Sequence, residues 1–171
     1  IFADDFKNIE FQAREIASWG KNIYVKIPVI NTQNKCNSEL IGKLNNDGIK
    51  INVTAVFTLD QTKRILKKIN KKTPCIISIF AGRIANAGID PEDTMKYATN
   101  LAVGDDNIET LWASSREVFN IIQAERCGTD IITLTPGLIK SMKDLGKDLN
   151  QFSLETVKMF YDDAQQSGFS L

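Results

Sequence analysis

Short runs rich in Ile and Val recur along the chain and alternate with longer stretches whose apolar residues return every three to four positions. The short runs are IFA (1–3), NIYVKIPV (22–29), KINVTAVF (50–57), CIISIFA (75–81), NIETLWAS (107–114) and TDIITLT (129–135). Their β-branched content predicts strands. The intervening segments 7–18, 36–46, 59–71, 91–103 and 116–126 have helical spacing, as does a stretch from about 153 to 166 after a short piece at 136–145. Asp90-Pro91-Glu92 marks a helix start, with a capping side chain ahead of a first-turn proline. Gly20, Gly48 and Gly128 each stand between a helical segment and the next strand, where a left-handed residue is expected.

Strands that are almost continuously apolar, separated by helices, imply a parallel sheet covered by helices, either a closed barrel or an open doubly wound sheet. No GxGxxG follows a strand, so the dinucleotide-binding sheet lacks its fingerprint and the barrel is favoured. A closed (β/α)8 barrel needs eight strands, and six would leave sheet edges unpaired. The expectation is therefore one incomplete barrel domain over residues 1–171, belonging to a longer protein. At the usual length of a βα unit, roughly 50 to 60 residues would precede Ile1.

Composition narrows the chemistry. The 171 residues are 43% hydrophobic and 25% charged, the profile of an ordinary globular domain. Lys plus Arg equals Asp plus Glu at 21 each, so no net field favours nucleic acid or an anionic membrane. No apolar run reaches the roughly 18 residues of a membrane span. Cys36, Cys75 and Cys127 are widely spaced and odd in number, which fits reduced thiols in a cytoplasmic protein and argues against zinc or a disulfide framework. Histidine is absent. That removes Ser-His-Asp, Cys-His and His-ligated metal chemistry, leaving Lys, Asp, Glu, Thr, Ser and Arg.

Lys26 sits in NIYVKIPV, where strand alternation puts Tyr24, Lys26 and Pro28 opposite Ile23, Val25 and Ile27. A lysine inside a largely apolar barrel is penalised for being charged, so its neutral amine is available to attack a carbonyl. The alternative is a structural lysine, paired with a carboxylate or reaching solvent from the strand end. INVTAVF puts Asn52 and Thr54 on one face, polar among apolar, either hydrogen-bonded structural groups or holders of a substrate hydroxyl or a reacting water.

In IISIFAGRI, Ser78 and Phe80 share a face and Arg83 follows the strand's carboxyl end, where barrel active sites form. Its guanidinium suits a phosphate; otherwise it is a solvated loop arginine. LWASSREV places Ser114 and Arg116 at the next such junction, so two arginines on neighbouring strands could share one phosphate. The competing role for Arg116 is pairing with Glu117 or Glu125. Asp4 and Asp5 read as a helix cap ahead of Asn8 and Ile9, and Lys67-Lys68 with Lys71-Lys72 as a solvated basic face.

VKIPV, NVTAVF, SIFAGRI and WASSREV, in this order and at βα spacing, resemble the transaldolase family across nearly the whole chain. The resemblance implies a TIM (β/α)8 barrel of which this chain supplies about six βα units, the third to eighth strands, and a C-terminal helix. It implies that Lys26 forms an imine with a ketose phosphate and Thr54 holds the catalytic water. It further implies that Asn52, Ser78 and Phe80 line the donor site, and that Arg83, Ser114 and Arg116 grip the phosphate. Such enzymes move a dihydroxyacetone unit between sugar phosphates without metal or organic cofactor, and small members form homo-oligomeric rings.

The family's general acid/base Asp, strand-two Asn and strand-three Glu have no counterpart within residues 1–171, so these residues alone are expected to be inactive. Ser115 stands where the family usually has Phe, and Ile79 where it often has Pro. Phe80 and Asn52 lean toward transfer over the related fructose-6-phosphate aldolase chemistry. A sugar-phosphate-binding barrel without catalysis is the remaining alternative.

Overall fold

A computed structural model describes residues 1–169. They form two compact units, one from Ile1 to Thr135 and one beginning at Pro136. The first carries the sheet. Its order is α1 (Phe6–Ser18), β1 (Val25–Pro28), α2 (Ser38–Asn46), β2 (Ile51–Val56), α3 (Leu59–Leu66), β3 (Cys75–Ile79), α4 (Ala81–Asn86), α5 (Glu92–Ala102), β4 (Ile108–Trp112), α6 (Phe119–Arg126) and β5 (Ile131–Ile132).

The helix ends follow from local chemistry. Asp5 accepts the Asn8 backbone N–H at 3.0 Å and caps α1, as its position before Asn8 predicts. Thr58 and Gln61 form a reciprocal capping box on α3. Asp90 Oδ1 accepts the Glu92 N–H at 2.9 Å beside Pro91, starting α5. Gly48 and Gly128 adopt φ of 86° and 68° after α2 and α6, but Gly20 is not left-handed.

The five strands are all parallel and lie side by side in chain order, β1-β2-β3-β4-β5. Val25 and Ile27, Ile51 and Val53, Cys75 and Ile77, and Trp112 share one core with Ile9, Ile41, Leu44, Ile65 and Met95 from the helices. Every helix of this core therefore covers the same sheet face. A doubly wound sheet divides its helices between two faces and reverses strand order; consecutive order with one-sided helices is the arrangement of a (β/α)8 barrel wall. The fold is thus α/β with a parallel sheet, consistent with part of a TIM barrel.

The other face holds a smaller cluster, Ile76, Leu111 and Ala113, with Tyr24, Phe80 and Ile131 against it.

Besides Gly20, several expected bounds need correction, among them the run at 129–135, of which only Ile131–Ile132 pairs as a strand. Residues 1–3 form no strand; the Ile1 amino group donates to the Lys26 carbonyl at 3.4 Å, and Ile1 and Ala3 pack against the core. Five strands are therefore described rather than six. The 59–71 helix ends at Leu66. The run read as strand to residue 81 stops at Ile79, and Ala81 opens the short helix α4. The basic run behaves as a solvated face, with Lys68 paired to Glu39 at 2.6 Å and Lys71 to Asp105 at 2.7 Å. All three cysteines are unpaired.

The second unit comprises α7 (Pro136–Ser141), a 3-10 turn (Met142–Asp144) and α8 (Leu149–Ser167). Asp148 caps α8 by accepting the Gln151 N–H at 3.0 Å, and Gly168 ends it at φ 69°. None of its elements buries a residue. Among the described residues, no helix is long and apolar enough to cross a membrane.

Candidate active site

Parallel pairing fixes which side chains share a row. Lys26 is the register partner of Asn52, Pro28 of Thr54, Asn52 of Ile76, and Ser78 of Leu111. Because Val25, Ile27, Val53 and Ile77 face the helices, alternation sends Lys26, Asn52, Thr54 and Ser78 to the opposite face. The four polar residues selected from the sequence do fall on one surface.

Their surroundings differ from residue to residue. Lys26 is exposed, where the sequence predicts a lysine enclosed in apolar surroundings. The reason is geometric: within residues 1–135 the helices pack on the other side of the sheet, and the side that carries Lys26 holds only the smaller cluster around Ile76, Leu111 and Ala113. Ser78 is buried and its hydroxyl donates to Asn52 Oδ1 at 2.6 Å, tying β3 to β2. Thr54 is also buried, yet its hydroxyl has no hydrogen-bond partner among the described residues. Such a group is costly unless a further partner reaches it.

Thr54 also precedes an irregularity. The β2–β3 register shifts between Val53 and Val56, and Ala55 takes φ 57°, a left-handed conformation rare for a residue with a Cβ. The bulge keeps Val56 in the core while Thr54 stays on the Lys26 face.

At the carboxyl ends of β3 and β4 the chain turns twice in close proximity. Phe80 packs on Phe57, ring centroids 5.7 Å apart, and the Arg83 guanidinium lies 5.4 Å above the Phe80 ring. In the neighbouring turn Ser114 has φ 65°, and Ser115 is buried with its hydroxyl unpartnered among the described residues. Asn120 organises this turn: its Oδ1 accepts the backbone N–H of Arg116 at 2.8 Å and of Glu117 at 3.3 Å. The Gly82 N–H, free in the first turn of α4, donates to the Ala113 carbonyl at 3.3 Å and joins the two turns.

Arg83 and Arg116 are exposed, and neither guanidinium makes a salt bridge among the described residues. Arg116 in particular does not pair with Glu117 or Glu125. Two cations on adjacent strand ends, each without a carboxylate, suit a shared anion.

Sequence reasoning assigned no role to Gly82, Asn120 or the Ala55 bulge. The glycine between strand end and arginine was the available signal; the Asn120 contact had none, since it depends on how the turn folds back. Two surface clefts lie toward the amino ends of the strands, one beside Asp105, Glu109 and Asp130, the other beside Lys21, Ile23 and Lys50, and a smaller one lies beside Asp4, Asn31 and Lys35 after β1. None of these includes Lys26, and barrel active sites form at the carboxyl ends.

The whole chain, residues 1–171, matches the family model described as Transaldolase/Fructose-6-phosphate aldolase. It is 28% identical over 158 residues to a protein of Nitrosopumilus maritimus (strain SCM1) named "Probable transaldolase", covering 91% of this chain and 66% of that protein. A like-named protein of Ruegeria sp. (strain TM1040) is 31% identical over 147 residues, covering 83% of this chain and 62% of its own length. One of Thermoanaerobacter sp. (strain X514) is 29% identical over 146 residues, with 83% and 62% covered. The chain thus spans about two thirds of the length of the curated relatives it matches. On the match across all of its residues, and with a one-sided parallel βα sheet behind it, the chain belongs to the transaldolase/fructose-6-phosphate aldolase family.

Proposed function

We propose that the protein transfers a three-carbon dihydroxyacetone unit between sugar phosphates through an imine on Lys26. The observation that carries this reading is the shared sheet face: Lys26 and Asn52 in register, Thr54 two residues on, and Ser78 bonded to Asn52.

In this mechanism the Lys26 amine adds to the ketose carbonyl, and loss of water gives the imine. A carboxylate base of the full-length protein takes the C4 hydroxyl proton as the bond between C3 and C4 breaks, which releases an aldose phosphate and leaves the electron pair as an enamine on the lysine. The enamine attacks the aldehyde of an acceptor, whose oxygen takes back the proton held by the carboxylic acid, and water added to the new imine frees the product and the amine. Asn52 and Ser78 hold the dihydroxyacetone hydroxyls, Phe80 walls the donor site, and Thr54 holds the water. Arg83, Ser114 and Arg116 bind the phosphate, so binding energy far from the reacting carbon orients it.

No metal or organic cofactor is required by these steps. We further read the protein as a single-domain cytoplasmic enzyme, assembled as a homo-oligomer and acting on sugar phosphates rather than nucleic acid or membranes.

The test is borohydride trapping in the full-length protein with fructose 6-phosphate. The expected result is a reduced adduct on the peptide containing Lys26, lost in Lys26→Met. An unmodified lysine in a protein that still binds the sugar would replace the enzyme reading with a non-catalytic binder. Turnover that does not depend on added erythrose 4-phosphate would point to aldol cleavage instead of transfer.

A further inference from the structure

Gly82 is the second residue of α4, between Phe80 on the donor face and Arg83. Its φ lies outside the left-handed region, so backbone conformation gives no reason for a glycine here. Space does. A Cβ on Gly82 would stand 1.7 Å from the Ser114 carbonyl oxygen, 2.7 Å from the Ser114 carbonyl carbon and 3.1 Å from Arg116 Cγ. The first two obstacles are backbone atoms and have no rotamer to turn away.

Ser114 is itself held at φ 65°, and Gly82 N–H bonds Ala113 O. The two turns are thus in backbone contact through a residue without a side chain. Arg83 follows that residue directly, and Arg116 lies two positions beyond Ser114 with its stem against it.

We propose that Gly82 is a positioning residue for the phosphate grip: its missing side chain lets the β3–α4 and β4–α6 turns abut, which brings Arg83 and Arg116 onto one anion. This rests on the proposed sugar-phosphate reading. A methyl group at residue 82 forces the turns apart, and two guanidinium groups set for one phosphate lose their common focus. The chemistry at Lys26, on β1, is not touched by that displacement.

The experiment is Gly82→Ala in the full-length protein, assayed with fructose 6-phosphate and with unphosphorylated fructose as donors, and for inhibition by inorganic phosphate. The expected result is a roughly tenfold to hundredfold fall in kcat/KM for the phosphorylated donor, the range for losing charge-assisted hydrogen bonds to an anion. The loss appears in KM, phosphate inhibition weakens in parallel, and the unphosphorylated donor changes by less than about threefold. Equal losses with both donors would mean a merely structural glycine, and an unaltered preference would also overturn the inference.

If the wild type itself neither prefers the phosphorylated donor nor binds phosphate, the underlying reading fails, and the inference with it. Arg83→Ala, Arg116→Ala and their double variant answer even where Gly82→Ala does not fold. Arginines focused on one anion give a double loss smaller than the product of the single losses, whereas independent losses overturn the proposal.

Discussion

The Ser78 hydroxyl donates to Asn52 Oδ1 across 2.6 Å, joining neighbouring strands on the face that carries Lys26. The bond fixes the Asn52 amide: with Oδ1 occupied, its NH2 group is the end left to meet a ligand hydroxyl. In the proposed mechanism Ser78 thereby acts on the site through Asn52 as well as by its own contact with the donor.

Ser78→Ala should destabilise the protein by about 1 kcal/mol, because Asn52 Oδ1 loses its donor on a half-buried surface. Asn52→Ala combined with Ser78→Ala should cost less than the two single losses together, by about 0.5–1.5 kcal/mol. Urea unfolding of the four proteins measures this coupling. Strict additivity would show that the bond does not form in solution.

Thr54 predicts opposite signs for stability and activity. Its hydroxyl is buried and unpartnered among the described residues, so Thr54→Val should raise unfolding stability by about 1 kcal/mol as the unpaired polar group is removed. If the hydroxyl holds the reacting water, turnover in the full-length protein should fall by about a hundredfold, at the low end for a lost proton-transfer group. Chemical denaturation and steady-state kinetics check the two halves separately. A less stable but fully active variant would assign the hydroxyl to structure alone.

Glu92 ties α5 to α6 in a pH-dependent way. Lys96 Nζ donates to its Oε2 at 2.8 Å and the Gln123 amide to its Oε1 at 3.3 Å. The Lys96 bond, foremost, holds the carboxyl below its ordinary range, against the opposing effect of burial. A carboxyl depressed in the folded state contributes stability that is complete above its unfolded-state pKa and is lost as pH falls through the folded-state value. Glu92→Gln should therefore be less stable than the parent at pH 7, with the difference shrinking on acidification below the ordinary carboxylate range. Thermal unfolding at pH 7, 5 and 3 reads that convergence; a constant gap would leave Glu92 without linked protonation.

Strand alternation was legible because it is local. Lys26, Asn52, Thr54 and Ser78 occupy positions whose neighbours Val25, Ile27, Val53 and Ile77 are apolar, so a period of two assigns them to one face before any contact is known. Capping was legible for the same reason, and Asp5 and Asp90 stand where their hydrogen bonds require. The two arginines followed from their place just past consecutive strands.

What lay beyond the amino-acid order depends on partners distant along the chain. Whether β1 to β5 form a one-sided wall or a doubly wound sheet is decided by the face onto which each helix packs, and every βα repeat is compatible with both. The exposure of Lys26 follows from which face was covered, whereas its neighbours in sequence suggest only an oily strand. Residues 1–3 have strand composition, and Ile1 and Ala3 pack against the core, but they form no ladder with β1, and β propensity without a ladder does not make a strand. The seat of Gly82 against Ser114 joins turns more than 30 residues apart. Periodicity sets which way a side chain points, and tertiary packing alone sets what stands there to meet it.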